Sequence, residues 1–212
     1  VCGSCRTVID LYNQNKALFK KKVEAIYLNA GSALNTDELE YNVNLNKDAY
    51  SQIFQLPCKI YWLPCFEDVS RLFTKGKNGS FYRFKQELVL SNISKQLLNY
   101  FLDASIDLPI NNINESLIKE IDSELYKQCS NEYRNMYCTA GFLHCAGISF
   151  TDNSTSEEVC SFKPIIISSN KEGRINWEFT KSKSNIYILS INNLNKYEKM
   201  MTNSLVEFLS KL

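Results

Sequence analysis

The feature that most constrains the fold is an alternation of helical segments with two short apolar runs in the first 65 residues. The runs Val23–Leu28 (VEAIYL) and Lys59–Leu63 (KIYWL) have the length of strands and contain β-branched and aromatic residues. A helix predicted over Thr7–Lys22 precedes the first run, and a short helix over Asp48–Phe54 lies between the two. Because strands that alternate with helices usually pair in parallel, this order predicts βαβ units and a mainly parallel sheet.

The rest of the chain predicts a group of helices followed by strands. The predicted elements are helices over about 84–102, 115–130 and 132–146, strands over Phe162–Ser168 and Asn185–Ile191, a turn at Glu172-Gly173, and an amphipathic final helix from Tyr197 to Leu212. We therefore expect an α/β fold with a Rossmann-like, open, mostly parallel sheet flanked by helices. A helical insertion over about 84–146 and a C-terminal strand–helix segment complete the expected single domain, 1–212.

Charge and hydropathy exclude several classes of partner. The 212 residues include 24 Lys and Arg against 23 Asp and Glu, for a net charge of +1. Proteins that bind nucleic acids or anionic membranes usually carry a clear basic excess, and no apolar run here reaches the roughly 20 residues of a membrane helix. We expect neither nucleic acid nor membrane as a partner. Since Val1 is not a start methionine, we expect the C-terminal portion of a longer chain, whose compartment stays open.

Histidine and cysteine supply the main candidates for chemistry. His144 is the only histidine, so any histidine acid or base must be His144, although a lone histidine in an apolar helix is more often a core residue. Cys2-Gly-Ser-Cys5 is a CxxC motif, which allows a redox site at a helix start or a zinc centre. Cys138, His144 and Cys145 are the candidates for completing such a centre. Small buried hydrophobes remain the simplest interpretation of most of the eight cysteines.

Several short motifs, in order along the chain, resemble the inosine–uridine-preferring nucleoside hydrolase family. They are Gly3–Val8 (GSCRTV) in place of a turn that begins a helix, Ala25–Ser32 (AIYLNAGS) as a strand and its glycine turn, Glu40-Tyr41-Asn42 as the acidic–aromatic–Asn motif, Asp48–Phe54 as a short helix, Lys59–Leu63 as the next strand, and Leu143-His144-Cys145 in place of a His-Asp-Pro segment. The tail also fits, with a strand, a glycine turn, two strands and a final helix.

The resemblance implies hydrolysis of the N-glycosidic bond of a ribonucleoside, through an oxocarbenium-like sugar and a water held by Ca²⁺. On this basis Glu40 and Asn42 hold ribose hydroxyls, and Asn35 adds a further ribose contact. His144 becomes the proton donor for the departing base, and the backbone carbonyl of Arg6 takes the place of a calcium ligand. The expected ligand is a small nucleoside or ribose-like molecule. Family members are often dimers or tetramers, but the sequence carries no self-association signature.

Three departures from the family pattern leave alternatives open. The Asp-rich motif that supplies the main calcium ligands would lie upstream of Val1, Cys145 replaces a carboxylate, and Asn46 stands where Asp is common. A thiol is a poor ligand for a hard cation such as Ca²⁺. We expect hydrolysis from the full-length protein and not from this chain alone. The alternatives are a non-catalytic sugar- or nucleoside-binding relative and a zinc-stabilised structural domain.

Overall fold

A computed structural model describes residues 1–106, 113–152 and 155–211. The chain divides into two compact units. The larger comprises Val1–Tyr82 and Met136–Tyr197, and the smaller comprises Arg83–Asn135 and Glu198–Leu212. The expectation of one domain with an insertion over about 84–146 stays a prediction. In the part of the chain described, none of the helices combines the length and apolar character needed to cross a membrane.

In the first third of the chain, helices and strands occur in the order that the alternating sequence pattern predicts. The helices are α1 (Arg6–Gln14), α2 (Lys16–Lys22), α3 (Tyr41–Leu45), α4 (Lys47–Ile53), α5 (Glu87–Leu90), α6 (Lys95–Ser105), α7 (Ile113–Ile118), α8 (Ser123–Asn131), α9 (Thr139–Cys145) and α10 (Leu194–Leu209), with a 3₁₀ turn at Val69–Arg71. The strands are β1 (Ala25–Asn29), β2 (Lys59–Leu63), β3 (Tyr82–Lys85), β4 (Tyr133–Met136), β5 (Thr151–Asp152), β6 (Glu157–Glu158), β7 (Cys160–Ser169), β8 (Ile175–Phe179) and β9 (Ile186–Ile191).

The larger unit is built on a five-stranded sheet in the order β1-β2-β9-β7-β8. β1, β2 and β9 pair in parallel, with Tyr27 opposite Tyr61 and Tyr61 opposite Tyr187. β7 is antiparallel to both β9 and β8, so four of the five strands run in the same direction. The predicted α/β class, with an open and mostly parallel sheet flanked by helices, is confirmed.

One face of this sheet forms the main core. Ile26, Leu28, Ile60, Trp62 and Ile188 are buried there, and the core extends to residues of α1 and α4. Burying one large apolar side chain completely stabilises a fold by about 1.5–3 kcal/mol, so this face carries much of the folding energy. Neighbouring strand residues point to opposite faces. Tyr27 and Tyr61 therefore face the other side, where their rings contact His144 of α9.

The first predicted helix is divided in two at Asn15. Its backbone has φ −151°, and its side-chain oxygen accepts a hydrogen bond from the Leu18 N–H (2.9 Å), which caps α2. An asparagine gives up helical geometry readily because its side chain competes for backbone N–H groups. The same effect moves the next boundary. Asn46 caps α4, since its oxygen accepts from the Ala49 N–H, and the helix therefore begins at Lys47 and not at the predicted Asp48.

Helix predictions between residues 84 and 146 are partly wrong. The range 84–102 contains the end of β3 and two helices, α5 and α6, and Ser94 caps the second. The range 115–130 contains α7 and α8, and Asp122 caps α8. The range 132–146 contains a strand, β4, followed by α9. β4 forms because it pairs with β3, a partner about 50 residues away that local periodicity does not reveal. In the smaller unit, Leu90, Leu98, Leu102 and Cys129 pack as an apolar cluster.

Candidate functional site

The chain leaves β1 through a turn that only glycine fits. Gly31 has φ +83°, a conformation that L side chains rarely adopt. A Cβ on this residue would lie 2.1 Å from the Tyr50 hydroxyl oxygen. The turn brings the Gly31 N–H to Glu40, which lies at the start of α3. The site thus lies beyond the carboxyl end of a parallel strand, the usual location of ligand sites in open α/β sheets.

Glu40 and Asn42 lie side by side at the start of α3. Glu40 Oε2 accepts hydrogen bonds from the N–H groups of Gly31 (2.9 Å) and Asn42 (3.0 Å), and Oε1 accepts from Asn42 Nδ2 (3.0 Å). Glu40 is also the N-cap of α3 and is buried. A buried carboxylate needs such donors to offset the loss of water. The two residues therefore stabilise the turn and the helix start, whatever else they bind.

A pocket opens beside this network. Its lining includes Gly31, Ser32, Asn35, Glu40, Tyr50 and Arg174. The pocket has room for roughly one water molecule and is partly open to solvent.

Two buried hydroxyls of the pocket lack hydrogen-bond partners within the described residues, namely Ser32 Oγ and Tyr50 Oη. The Trp62 side chain lies close enough to Tyr50 to lower the pKa of its hydroxyl slightly, but the single indole N–H of Trp62 donates to the Ala30 carbonyl (2.8 Å). Burial raises the pKa of Tyr50 well above its ordinary value, so the phenol is neutral. A buried hydroxyl without a partner costs about 1–3 kcal/mol of folding free energy.

Asn35 and Arg174 fasten the outer wall of the pocket to β8. Asn35 Nδ2 donates to the Ile175 carbonyl, and its Oδ1 accepts from the Ile175 N–H (3.2 Å). Arg174 donates to the carbonyls of Thr36 and Asp37. Asn35 therefore lines the same pocket as Glu40, but its amide is engaged with the backbone. Sequence reasoning missed Arg174, since an arginine after a Gly turn carries no distinctive signal.

His144 lies apart from this pocket. Its Nδ1 is 2.7 Å from the Tyr27 hydroxyl, and its ring contacts Tyr61, Phe150 and Phe162. These aromatic neighbours remove water, and burial lowers the pKa of His144, so the ring is neutral at pH 7. Burial likewise raises the pKa of Tyr27 to about 12.

The sheet itself explains why His144 and the pocket are separate. Tyr50 belongs to the core cluster on the Trp62 face of the sheet. His144 packs on Tyr61, the preceding residue of β2, which points to the opposite face. Motif order along the chain cannot show this, because it does not say on which face of the sheet each residue lies.

Arg6 is the first residue of α1, and its guanidinium forms an exposed ion pair with Asp10. In a helix, a carbonyl in this position accepts the N–H four residues later. Over residues 1–106, 113–152 and 155–211, no three His, Cys, Asp or Glu side chains are grouped to hold a metal ion. Ca²⁺ takes six to eight oxygen ligands. Neither such a ligand set nor a zinc centre around Cys2 and Cys5 is present among the described residues, and calcium binding stays a prediction.

The two cysteines of the CxxC motif have different surroundings. Cys5 is fully buried, which raises the pKa of its thiol to about 12. Cys2 is exposed, and its sulfur lies 3.3 Å from that of Cys138. Cys138 Sγ is also 3.1 Å from Asn29 Oδ1 at the end of β1. Cys2 is therefore paired with a residue 136 positions away, and not with Cys5.

These features define an α/β domain with a polar pocket at the carboxyl end of its parallel strands. No protein-family model matches the sequence, and no curated protein matches it significantly. Among solved structures, the fold is similar to an inosine–uridine-preferring nucleoside hydrolase from Bacillus anthracis, with a TM-score of 0.42 and 10% sequence identity. The similarity covers 97% of this chain and 58% of that hydrolase. The chain thus spans less than two thirds of that protein, and a likeness at this level says nothing about activity.

Proposed function

We propose that the larger unit binds a ribose-like or nucleoside ligand in the pocket beside β1. The observation that carries this proposal is the presence of two unpartnered buried hydroxyls, Ser32 Oγ and Tyr50 Oη, in the same pocket wall as the Glu40 carboxylate. Such a set of groups matches a polyol, because sugar hydroxyls both donate and accept hydrogen bonds.

The Glu40 carboxylate lines the pocket. Oε2 accepts two N–H groups and Oε1 accepts from Asn42 Nδ2, while the Cys65 thiol is hydrogen-bonded to the Glu40 and Asn42 side chains. Because a carboxylate oxygen has two acceptor positions, a ligand hydroxyl would compete with Cys65 for the remaining one. A ribose hydroxyl that bonds Glu40 and also reaches Tyr50 or Ser32 would satisfy groups that are otherwise buried without partners.

Ligand entry requires the outer wall to move, because the pocket as it stands has room for only about one water molecule. That wall is the segment 32–39, which Asn35 and Arg174 hold against β8. Opening this wall breaks the hydrogen bonds of Asn35 and Arg174, and the free energy lost with them reduces the net free energy of binding. We therefore expect weak affinity, with a dissociation constant in the micromolar to millimolar range.

Titration calorimetry with ribose, inosine and uridine tests the proposal, in buffers with Ca²⁺ and with EDTA. We expect the affinity to be the same with Ca²⁺ and with EDTA. Tyr50→Phe should weaken the affinity about 5- to 10-fold, which corresponds to the loss of one hydrogen bond. Tyr197→Phe is the matched control. Tyr197 is equally buried, and its hydroxyl donates to the Ser80 carbonyl outside the pocket. Absence of binding, or equal affinity of the two variants, would overturn the proposal.

A second candidate function is hydrolysis of the N-glycosidic bond of a ribonucleoside by a longer protein that supplies the calcium carboxylates. What favours it is the Tyr27–His144 hydrogen bond, which fixes the orientation of the imidazole. Against it stands the position of His144 on the other face of the sheet from Tyr50. We expect this chain alone to release no free base from inosine, with or without Ca²⁺. If the chain does release free base, and His144→Asn abolishes that release, the result would favour the hydrolase over the binding module.

A further inference from the structure

The strongest unassigned feature is the contact between Cys2 and Cys138. The two sulfur atoms lie 3.3 Å apart, although 136 positions separate them in the sequence. Cys2 follows Val1, whose N-terminal ammonium donates to the Tyr27 carbonyl (2.7 Å) and whose carbonyl accepts from the Asn29 N–H (2.8 Å). These bonds hold the residue before Cys2 alongside β1. On the other side, Cys138 precedes α9.

The Asn29 side chain fixes Cys138 in this position. Asn29 Nδ2 donates to the Leu63 carbonyl and to Ser80 Oγ, both at 2.9 Å, so Oδ1 faces the Cys138 thiol. Asn29 itself is buried. A thiol has one proton, so it serves Asn29 Oδ1 or Cys2 Sγ at any moment. Cys138 is thus held by a buried amide, while Cys2 is open to solvent.

We propose that Cys2 and Cys138 form a reversible disulfide with a low-molecular-weight disulfide such as oxidised glutathione as the oxidant. The Cys2 thiolate attacks one sulfur of the oxidant, forms a mixed disulfide and releases one glutathione thiolate. Cys138 then loses its proton to solvent and attacks the Cys2 sulfur, which releases the second glutathione thiolate. Two protein thiols are oxidised and one glutathione disulfide is reduced to two thiols. This site goes beyond the proposed sugar binding and does not depend on it.

The geometry is close to that of a disulfide, whose S–S bond is about 2.05 Å long. The sulfurs must approach by about 1.2 Å, and the exposed Cys2 side chain can supply this by rotation. The contact with Cys138 also lowers the pKa of Cys2 to about 6 and raises that of Cys138. Cys2 is therefore the thiolate at neutral pH and the attacking group.

Other cysteines do not compete for this role. Cys5, the CxxC partner, is fully buried, and its thiol is protonated at neutral pH because its pKa is about 12. Cys145 is exposed, but it makes no hydrogen bond to another thiol within the described residues. Cys145 therefore serves as a matched control, because its thiol is exposed like that of Cys2 but is not hydrogen-bonded to another thiol within the described residues.

The test is to equilibrate the chain with mixtures of reduced and oxidised glutathione, quench it in acid, block free thiols with N-ethylmaleimide and map the peptides by mass spectrometry. We expect a Cys2–Cys138 cross-link that dithiothreitol reverses. Cys138→Ser should leave a stable glutathione adduct on Cys2, and Cys145→Ser should leave the yield of the cross-link unchanged. In wild-type protein, the pH midpoint of Cys2 alkylation should lie near 6, and Cys138→Ala should raise it.

Three outcomes would overturn the proposal. They are a Cys2–Cys5 cross-link, a glutathione adduct that persists on Cys2 in the wild-type chain, and stoichiometric zinc that protects Cys2 from oxidation. The wild-type peptide map, together with a metal analysis of the same untreated protein, decides between these without any variant, so a variant that fails to fold does not prevent the test.

Discussion

The backbone N–H of Gly31 donates to Glu40 Oε2 over 2.9 Å, and this bond closes the loop that follows β1. The same oxygen accepts the Asn42 N–H, so one buried carboxylate joins the end of the strand to the first turn of α3. The Tyr50 hydroxyl fills the space that a side chain on residue 31 would occupy. The pocket therefore depends on glycine at position 31 and on the charge of Glu40.

Gly31→Ala should destabilise the chain by at least about 2 kcal/mol. The variant must adopt φ +83° with a Cβ that collides with the Tyr50 hydroxyl, and both the strain and the clash raise the free energy of the folded state. Gly3→Ala is the control, because a Cβ there meets no atom within 4 Å. Urea denaturation gives the comparison. Equal stability of the two variants would show that the turn is not as described.

Glu40→Gln should lower the free energy of unfolding by about 1–3 kcal/mol. The neutral amide can present its oxygen to Gly31 and Asn42, but its NH₂ group then meets the Asn42 Nδ2 donor. Glu38→Gln, an exposed position in the same loop, should change stability by less than about 0.5 kcal/mol. A Glu40→Gln chain as stable as wild type would mean that the carboxylate does not hold the loop.

Tyr50→Phe should leave the stability of the unliganded chain unchanged or raise it by about 1 kcal/mol. It removes a buried hydroxyl that has no partner within the described residues, and burying such a group is unfavourable. Tyr197→Phe should instead destabilise by about 0.5–1.5 kcal/mol, because it removes the bond to the Ser80 carbonyl (3.1 Å). Thermal unfolding of both variants measures the contrast, and destabilisation by Tyr50→Phe would reveal a hidden partner for its hydroxyl.

His144 should make stability fall in mildly acidic solution. Burial lowers its pKa in the folded chain below the ordinary value of about 6.5. The unfolded chain therefore takes up the proton first as the pH drops below about 6.5, and stability decreases until the folded pKa is passed. The change between pH 7.5 and 5.5 should be smaller in His144→Asn.

Proton NMR checks this directly, because the chain has a single histidine ring to observe. A titration midpoint at or above 6.5 in the folded chain would contradict the desolvated environment formed by Tyr27, Tyr61, Phe150 and Phe162.

The sequence predicts the sheet well because its signals there are local. Val23–Leu28 and Lys59–Leu63 alternate with helical segments, and they appear as β1 and β2 within two residues of the predicted bounds. Phe162–Ser168 and Asn185–Ile191 likewise lie on β7 and β9. Segments that depend on distant partners are harder. The sequence pattern predicts helix where β4 forms, because the pairing of β4 with β3 is set by tertiary contacts and not by periodicity.

In the candidate site, too, the sequence predicts the positions of residues that are close in the chain better than those that depend on distant contacts. Glu40 and Asn42 are two residues apart, so a short motif places them together, and the structure does too. Asn35 shares the pocket with Glu40, but its bonds to Ile175 come from a strand 140 residues later. His144 lies on the other face of the sheet, which the order of motifs cannot reveal. The Cys2–Cys138 contact is also invisible in the sequence, where Cys5 is the obvious neighbour of Cys2.

The most direct test of the central claim is an NMR titration of the ¹⁵N-labelled chain with inosine. If the pocket beside β1 holds the ribose, the amide signals of Gly31 and Asn42, which both donate to Glu40, should shift progressively and saturate. The amide of Ile148, an exposed residue in the loop after α9, should not move. Shifts confined to residues around His144, or no shifts at millimolar inosine, would contradict the assignment of this pocket as the ligand site.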